Sequence, residues 1–153
     1  MRFLFLGAAI AVVLASFGAS AASRAPARSI TSAPVSEAMT AAALISAYRA
    51  SYGLGPVSVD WRLNLAARHQ ANVVAATGQL SHGDFAARMA QFGIRGQSAE
   101  NLGAGTQTVA DTVSLWIGSP AHNSNLLLPG VQSVGLGRSG WSFGSSWALI
   151  LSQ

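Results

Sequence analysis

The chain has no cysteine and no lysine among its 153 residues, and only 9% of its residues are charged. The missing cysteine rules out disulfides, thiolate zinc sites, iron–sulfur clusters, cysteine nucleophiles and lipid attachment through a thiol. The basic residues are arginines alone, at positions 2, 24, 28, 49, 62, 68, 88, 95 and 138, set against five acids for a net charge of +4. An isoelectric point near 11.2 resembles a nucleic-acid signature. Phosphate binding needs several cations converging on one surface, however, and these arginines stand singly. The high value reflects an all-arginine base set and few carboxylates, so no nucleic-acid partner is expected.

What is present begins with an apolar leader. The first 21 residues hold 16 apolar ones, with Arg2 as the only charge and an unbroken apolar stretch from Phe3 to Leu14. Ala19-Ser20-Ala21 then supplies small residues where an export peptidase needs them, so residues 1–21 read as a cleavable signal peptide. The alternative is an uncleaved anchor, since a bilayer takes roughly 20 residues. Gly7, Ser16, Gly18 and Ser20 weaken that alternative. Export to the periplasm or the exterior is expected, with the membrane touched only through the signal peptide. Residues 22–35 carry two prolines and no hydrophobic period, as a linker does. The folded unit is expected over 36–153, about 118 residues, enough for one core without staples.

Within that unit, Leu44, Ile45 and Tyr48 recur at helical spacing after Ser36 and Glu37, and Gly53 with Gly55-Pro56 stops the helix. Asp60 caps a second helix whose Leu63, Ala66, Ala67, Gln70, Val73 and Val74 share one face, with Gly78 as its stop. Small residues on that face allow close packing on a sheet. A short third helix runs from about Asp84 to Gln91, with Phe85, Arg88, Met89 and Phe92 at suitable intervals. An extended piece, Ser98 to Leu102, leads into a Gly103-Ala104-Gly105 turn. Thr108 caps a helix with Val109, Val113 and Trp116 on one stripe, and Pro120 opens another over Ala121 to Leu127. Period two then appears in 131–136 and 146–151, joined by the glycine-rich 137–144 stretch as a hairpin. Helices first and strands late argue for an α+β fold with a largely antiparallel sheet.

Two motif strings fail on context. Gly135-Leu136-Gly137-Arg138-Ser139-Gly140 fits a dinucleotide fingerprint but opens no helix and precedes no acid. Gly140-Trp141-Ser142-Phe143-Gly144 fits a nucleophile elbow, but neither acid nor histidine follows Ser142. Glycine turns in a hairpin explain both.

Glu100 is more informative. It stands in an apolar strand, where an unpaired carboxylate is costly, between His82 in a loop and His122 at a helix start. Two imidazoles and a carboxylate can hold a divalent cation such as zinc, or act as acid and base. Spacing alone does not bring them together. His82 can equally cap a loop amide, Glu100 can bond the amides at the start of the 119–123 helix, and Asn101 can be a turn residue. Trp116 reads as core and His69 as solvated, and no serine shows a sign of activation.

The run Leu80-Ser81-His82, Phe85-Ala86-Ala87-Arg88, Ala99-Glu100-Asn101-Leu102, Trp116 and Ser119-Pro120-Ala121-His122-Asn123-Ser124-Asn125-Leu126-Leu127 resembles the CAP superfamily, or SCP domain, in its short bacterial form. The order of motifs holds from about Ser36 to Gln153. The resemblance implies an α-β-α sandwich with a small, mainly antiparallel central sheet and a cleft that in larger members is lined by two histidines and two glutamates. His82 and His122 match the histidines, which in the family can carry a zinc-type ion, and Glu100 matches one glutamate. The other has no counterpart, since its helix reads Trp116-Ile117-Gly118-Ser119. The implied function is a secreted or periplasmic, non-enzymatic binding module for a divalent metal or a small ligand such as a lipid, glycan or cell-envelope component, expected as a monomer. One alternative is a hydrolase with Glu100 as acid or base, assisted by a metal on His82 and His122. The other is a purely structural envelope protein.

Overall fold

The computed structural model describes residues 32–153, so the leader and residues 22–31 lie outside the described residues. Helix α1 (Ser32–Ala50) begins inside the stretch read as linker. Pro34 does not prevent this, because the first-turn amides of a helix have no intrahelical acceptor to lose. Then come β1 (Ser58–Val59), α2 (Trp61–Thr77), α3 (Phe85–Gln91), β2 (Ser98–Ala104), α4 (Val109–Ile117), α5 (Pro120–Leu126), β3 (Ser133–Trp141) and β4 (Gly144–Ser152).

The caps follow the sequence. The Asp60 carboxylate accepts from Arg62 N at 2.7 Å, Gly78 closes α2 at φ +70°, and Thr108 Oγ1 accepts from Asp111 N at 3.1 Å. Gly103 and Ala104 belong to β2 rather than to a turn, which falls instead at Gly105 with φ +90°. The 137–144 stretch is mostly strand, with Ser142 and Phe143 alone forming the tip.

The sheet order is β1-β3-β4-β2, antiparallel except where β1 pairs with β3. Two residues of strand are too few to show a period, which is why β1 escapes a sequence reading. β4 lies inside and is buried along nearly its whole length. Trp147, Leu149 and Leu151 pack with Ile45, Val113 and Trp116 of α1 and α4, while Ala148 and Ile150 pack with Leu63, Ala66 and Val74 of α2. The uninterrupted apolar run Trp147 to Leu151 thus belongs to a strand with helices on both faces. The result is the expected α+β sandwich of two helical layers about a sheet.

Gly135 and Gly137 owe their place to α2. A Cβ at either would fall onto the backbone of Leu63 and Asn64, or of Ala67 and Arg68, closer than side chains ever pack. The fingerprint-like string therefore records a helix lying directly on β3. Asn64 Oδ1 accepts from Leu136 N at 2.9 Å, occupying the strand edge where β1 ends. Val73, expected on the buried face of α2, is exposed, and Ala71 takes that role. Arg49 is buried without an acid. Its guanidinium donates to the carbonyls of Gly55, Leu126, Leu128 and Val131 at 2.8–3.2 Å, fastening α1 to the chain after α5.

Candidate functional site

β2 is an edge strand, and alternation along it sends Glu100 and Asn101 to opposite faces. Glu100 turns toward the α2 and α3 layer, as does Leu102 two residues on. Its side chain is 2% exposed and both oxygens are engaged: Oε1 receives His82 Nδ1 at 2.8 Å, and Oε2 receives Arg88 Nη2. Arg88 Nη1 donates to the carbonyl of His82 at 3.0 Å and to Gln70 Oε1, whose own amide donates to the carbonyl of Ser81. The loop carrying His82 is thereby clamped from α2 and α3. Arg88 Nε lies buried without a partner.

Asn101 faces the other layer, toward α5. Its Nδ2 donates to the carbonyl of His122 at 3.0 Å, and its Oδ1 accepts from Asn125 Nδ2 at 2.8 Å. Asn125 also reaches the carbonyl of Glu100 at 3.3 Å, and Tyr48 of α1 donates to Asn123 Oδ1 at 2.9 Å. The two histidines therefore approach the edge of β2 from different layers. Neither carboxylate oxygen of Glu100 bonds an amide of the 119–123 segment, and Asn101 is a buried strand residue rather than a turn. Trp116 is fully buried, as expected, with its indole N–H donating to the carbonyl of Leu102 at 2.9 Å.

Burial pushes the Glu100 carboxyl above the ordinary carboxylate range, while the His82 hydrogen bond and the Arg88 charge pull it down. With a guanidinium fixed against Oε2, the ionised form is the one that matters at neutral pH. Burial holds His122 below the usual histidine range, and the nearby His82 adds to this. His122 Nδ1 is buried and unpartnered. His82, with its side chain 55% exposed, gives Nδ1–H to Glu100 and keeps the Nε2 lone pair for another partner.

Sequence reasoning singled out His82, Glu100 and His122. It missed the roles of Gln70 and Arg88, which it placed only as members of helical stripes. A polar residue recurring on an apolar helix face was the available signal, since such groups are seldom buried unless paired. Among the described residues no group of three or more His, Cys, Asp or Glu side chains converges to hold a metal. Any cation would have the two imidazoles as its protein ligands, because Glu100 is already engaged.

A sheet in the order β1-β3-β4-β2 between two helical layers is the fold of an SCP domain. The chain belongs to the cysteine-rich secretory protein family, CAP, whose sequence model matches residues 42–151. It is 30% identical over 100 residues to YkwD of Bacillus subtilis, covering 61% of this chain and 39% of that protein, so it spans well under half of that relative. Its fold resembles an outer surface protein of Borrelia burgdorferi, at TM-score 0.67 and 17% identity over 75% of this chain and 90% of that one. It also resembles an extracellular SCP-domain protein of Bacillus anthracis, at TM-score 0.68 and 17% identity over 78% and 41%. A family named for cysteine thus includes this chain without any.

Proposed function

We propose that the chain is an exported, non-catalytic binding module whose contact point is the His82 and His122 pair at the edge of β2. The observation that carries this reading is the full engagement of Glu100, with one oxygen on His82 and the other on Arg88. A carboxylate so held orients an imidazole, and it is poorly placed to abstract a proton or attack a carbonyl. The expected ligands are small envelope components, a lipid or a glycan, or a divalent cation such as zinc.

The donor set fits a cation through its nitrogens. A carboxylate bonded to one ring nitrogen fixes the tautomer and raises the basicity of the other, the usual support for a metal-binding histidine. His82 has that support, and His122 offers an unpartnered nitrogen. With two protein nitrogens, a bound zinc would supply Lewis acidity and keep positions open for an oxygen donor of the ligand. A hydrolase reading has less to support it, because no serine hydroxyl bonds a histidine in the described residues.

Zinc titration by calorimetry, with His82→Ala and His122→Ala beside the parent chain, tests the proposal. One-to-one binding that either substitution abolishes supports it. Binding that neither affects removes the histidine pair as the contact point. Turnover of a peptide, ester or glycan that Glu100→Gln abolishes would replace the binding module with an enzyme.

A further inference from the structure

Helix α2 carries large apolar side chains outside as well as inside. Its inner face makes the core, yet on its outer side Trp61 is 68% exposed and Leu65, one turn on, is 46% exposed. Val73 adds a further exposed apolar side chain near the other end. Large apolar groups left open together mark an interaction surface. The polar residues that share the outer side, Arg68, His69 and Asn72, are neutral or basic, and no acidic residue occurs anywhere in α2.

Charge on the described surface is distributed unevenly. In the α1 layer, Arg49 is buried among carbonyls and Arg138 is bound to Glu37 at 2.6 Å. Arg68 on the outer side of α2, which borders a groove with Glu37 and Arg138, and Arg95 after α3 form no ion pair among the described residues, and both are exposed. Arg95 lines a polar cavity of about 410 Å³ together with Asp60 and Arg62 at the start of α2, where those two are paired with each other. Among the described residues, exposed arginines outside any ion pair are thus confined to the layer that carries the exposed tryptophan, where Asp84 is the one exposed acid without a cation.

We propose that the outer face of α2 docks on an anionic lipid surface. Trp61 and Leu65 enter the boundary between headgroups and acyl chains, and Arg68 and Arg95 meet lipid phosphates. The chemistry is that of helices lying in a membrane interface, where tryptophan and leucine are flanked by arginine. Tryptophan favours this depth because its ring is amphipathic. The face of a helix is convex, and the charge of this one complements anionic lipid. Docking through this layer leaves α5, with His122, on the far side of the sheet.

The absence of cysteine allows a direct test. Asn72 is exposed and lies two turns beyond Leu65 on the same side of the helix. Asn72→Cys therefore places a single environment-sensitive dye on the proposed face of the full-length chain, and Ser124→Cys places one on α5. The leader is common to all variants, so differences among them report on α2. Vesicles of phosphatidylcholine with and without phosphatidylglycerol are the probe. We expect the dye at 72 to shift to the blue and escape aqueous quenchers on the anionic vesicles alone, while the dye at 124 stays exposed. Arg68→Gln with Arg95→Gln should weaken this response about thirtyfold, at ~1 kcal/mol per cation near the surface, and Trp61→Ala should weaken it too. The proposal is overturned if both dyes respond alike, if neutral vesicles serve equally, or if removing the two arginines changes nothing. Shielding of position 72 that grows with protein concentration in the absence of vesicles would assign the face to a second copy of the chain instead.

Discussion

Arg88 is where the account can be tested most severely through stability. Replacing it with methionine keeps much of its length and removes three hydrogen bonds at once, to Glu100, Gln70 and the carbonyl of His82. Glu100 would then sit at 6% exposure with only the His82 ring to hold it. Removing one partner of a buried ion pair costs roughly 3–5 kcal/mol, since the remaining charge stays desolvated. That is a large share of the ~5–15 kcal/mol that keeps a domain folded. At about 4 °C per kcal/mol for a domain of this size, Tm should fall by roughly 15 °C. Removing both charges, with Arg88→Met and Glu100→Leu together, should recover all but about 1–2 kcal/mol, because no orphaned charge remains. Urea unfolding of the four chains of this double-mutant cycle gives the coupling directly. A single-substitution cost under about 1 kcal/mol, or additive losses in the double variant, would mean that water reaches Glu100 and that Arg88 does not hold it.

Three further outcomes follow from the same structure. Gly137→Ala should cost about 2–3 kcal/mol in urea unfolding, because its Cβ would displace α2, whereas Gly140→Ala, with open space around it, should change little. Arg49→Met should cost about 3 kcal/mol by leaving buried carbonyls without donors, measured as a loss of Tm. His122 has a folded pKa below its unfolded 6.5, so its stabilising contribution is present above that value and fades as pH falls through the window beneath it. Unfolding free energy measured from neutral to mildly acid pH should therefore decline, and His122→Gln should flatten that decline.

The elements legible in the sequence were those with local causes. Asp60, Asp84, Thr108 and Gly78 act within a turn of their own positions, and they mark helix ends where the structure has them. The apolar stripe of Val109, Val113 and Trp116 is likewise a property of one helix. What escaped has distant causes. β1 exists only because β3 lies beside it, and Gly135 and Gly137 look like a ligand loop until α2 is seen resting on them. In the site, the scarcity of acids made Glu100 conspicuous, and the family resemblance added His82 and His122. Gln70 and Arg88 were hidden because their value comes from meeting one another across 18 positions of chain.

The proposed function requires that Glu100, held by Arg88, orients His82 so that it and His122 can share one cation. Nitrogen-edited NMR of the imidazole rings during zinc titration tests it most directly. We expect His82 protonated at Nδ1 before zinc is added, and both His82 and His122 perturbed together at one equivalent. Glu100→Gln should weaken the response by about 10–100-fold, as loss of a partner behind a metal-binding histidine does. A His82 protonated at Nε2, or a zinc response confined to one histidine and indifferent to Glu100→Gln, would contradict the account.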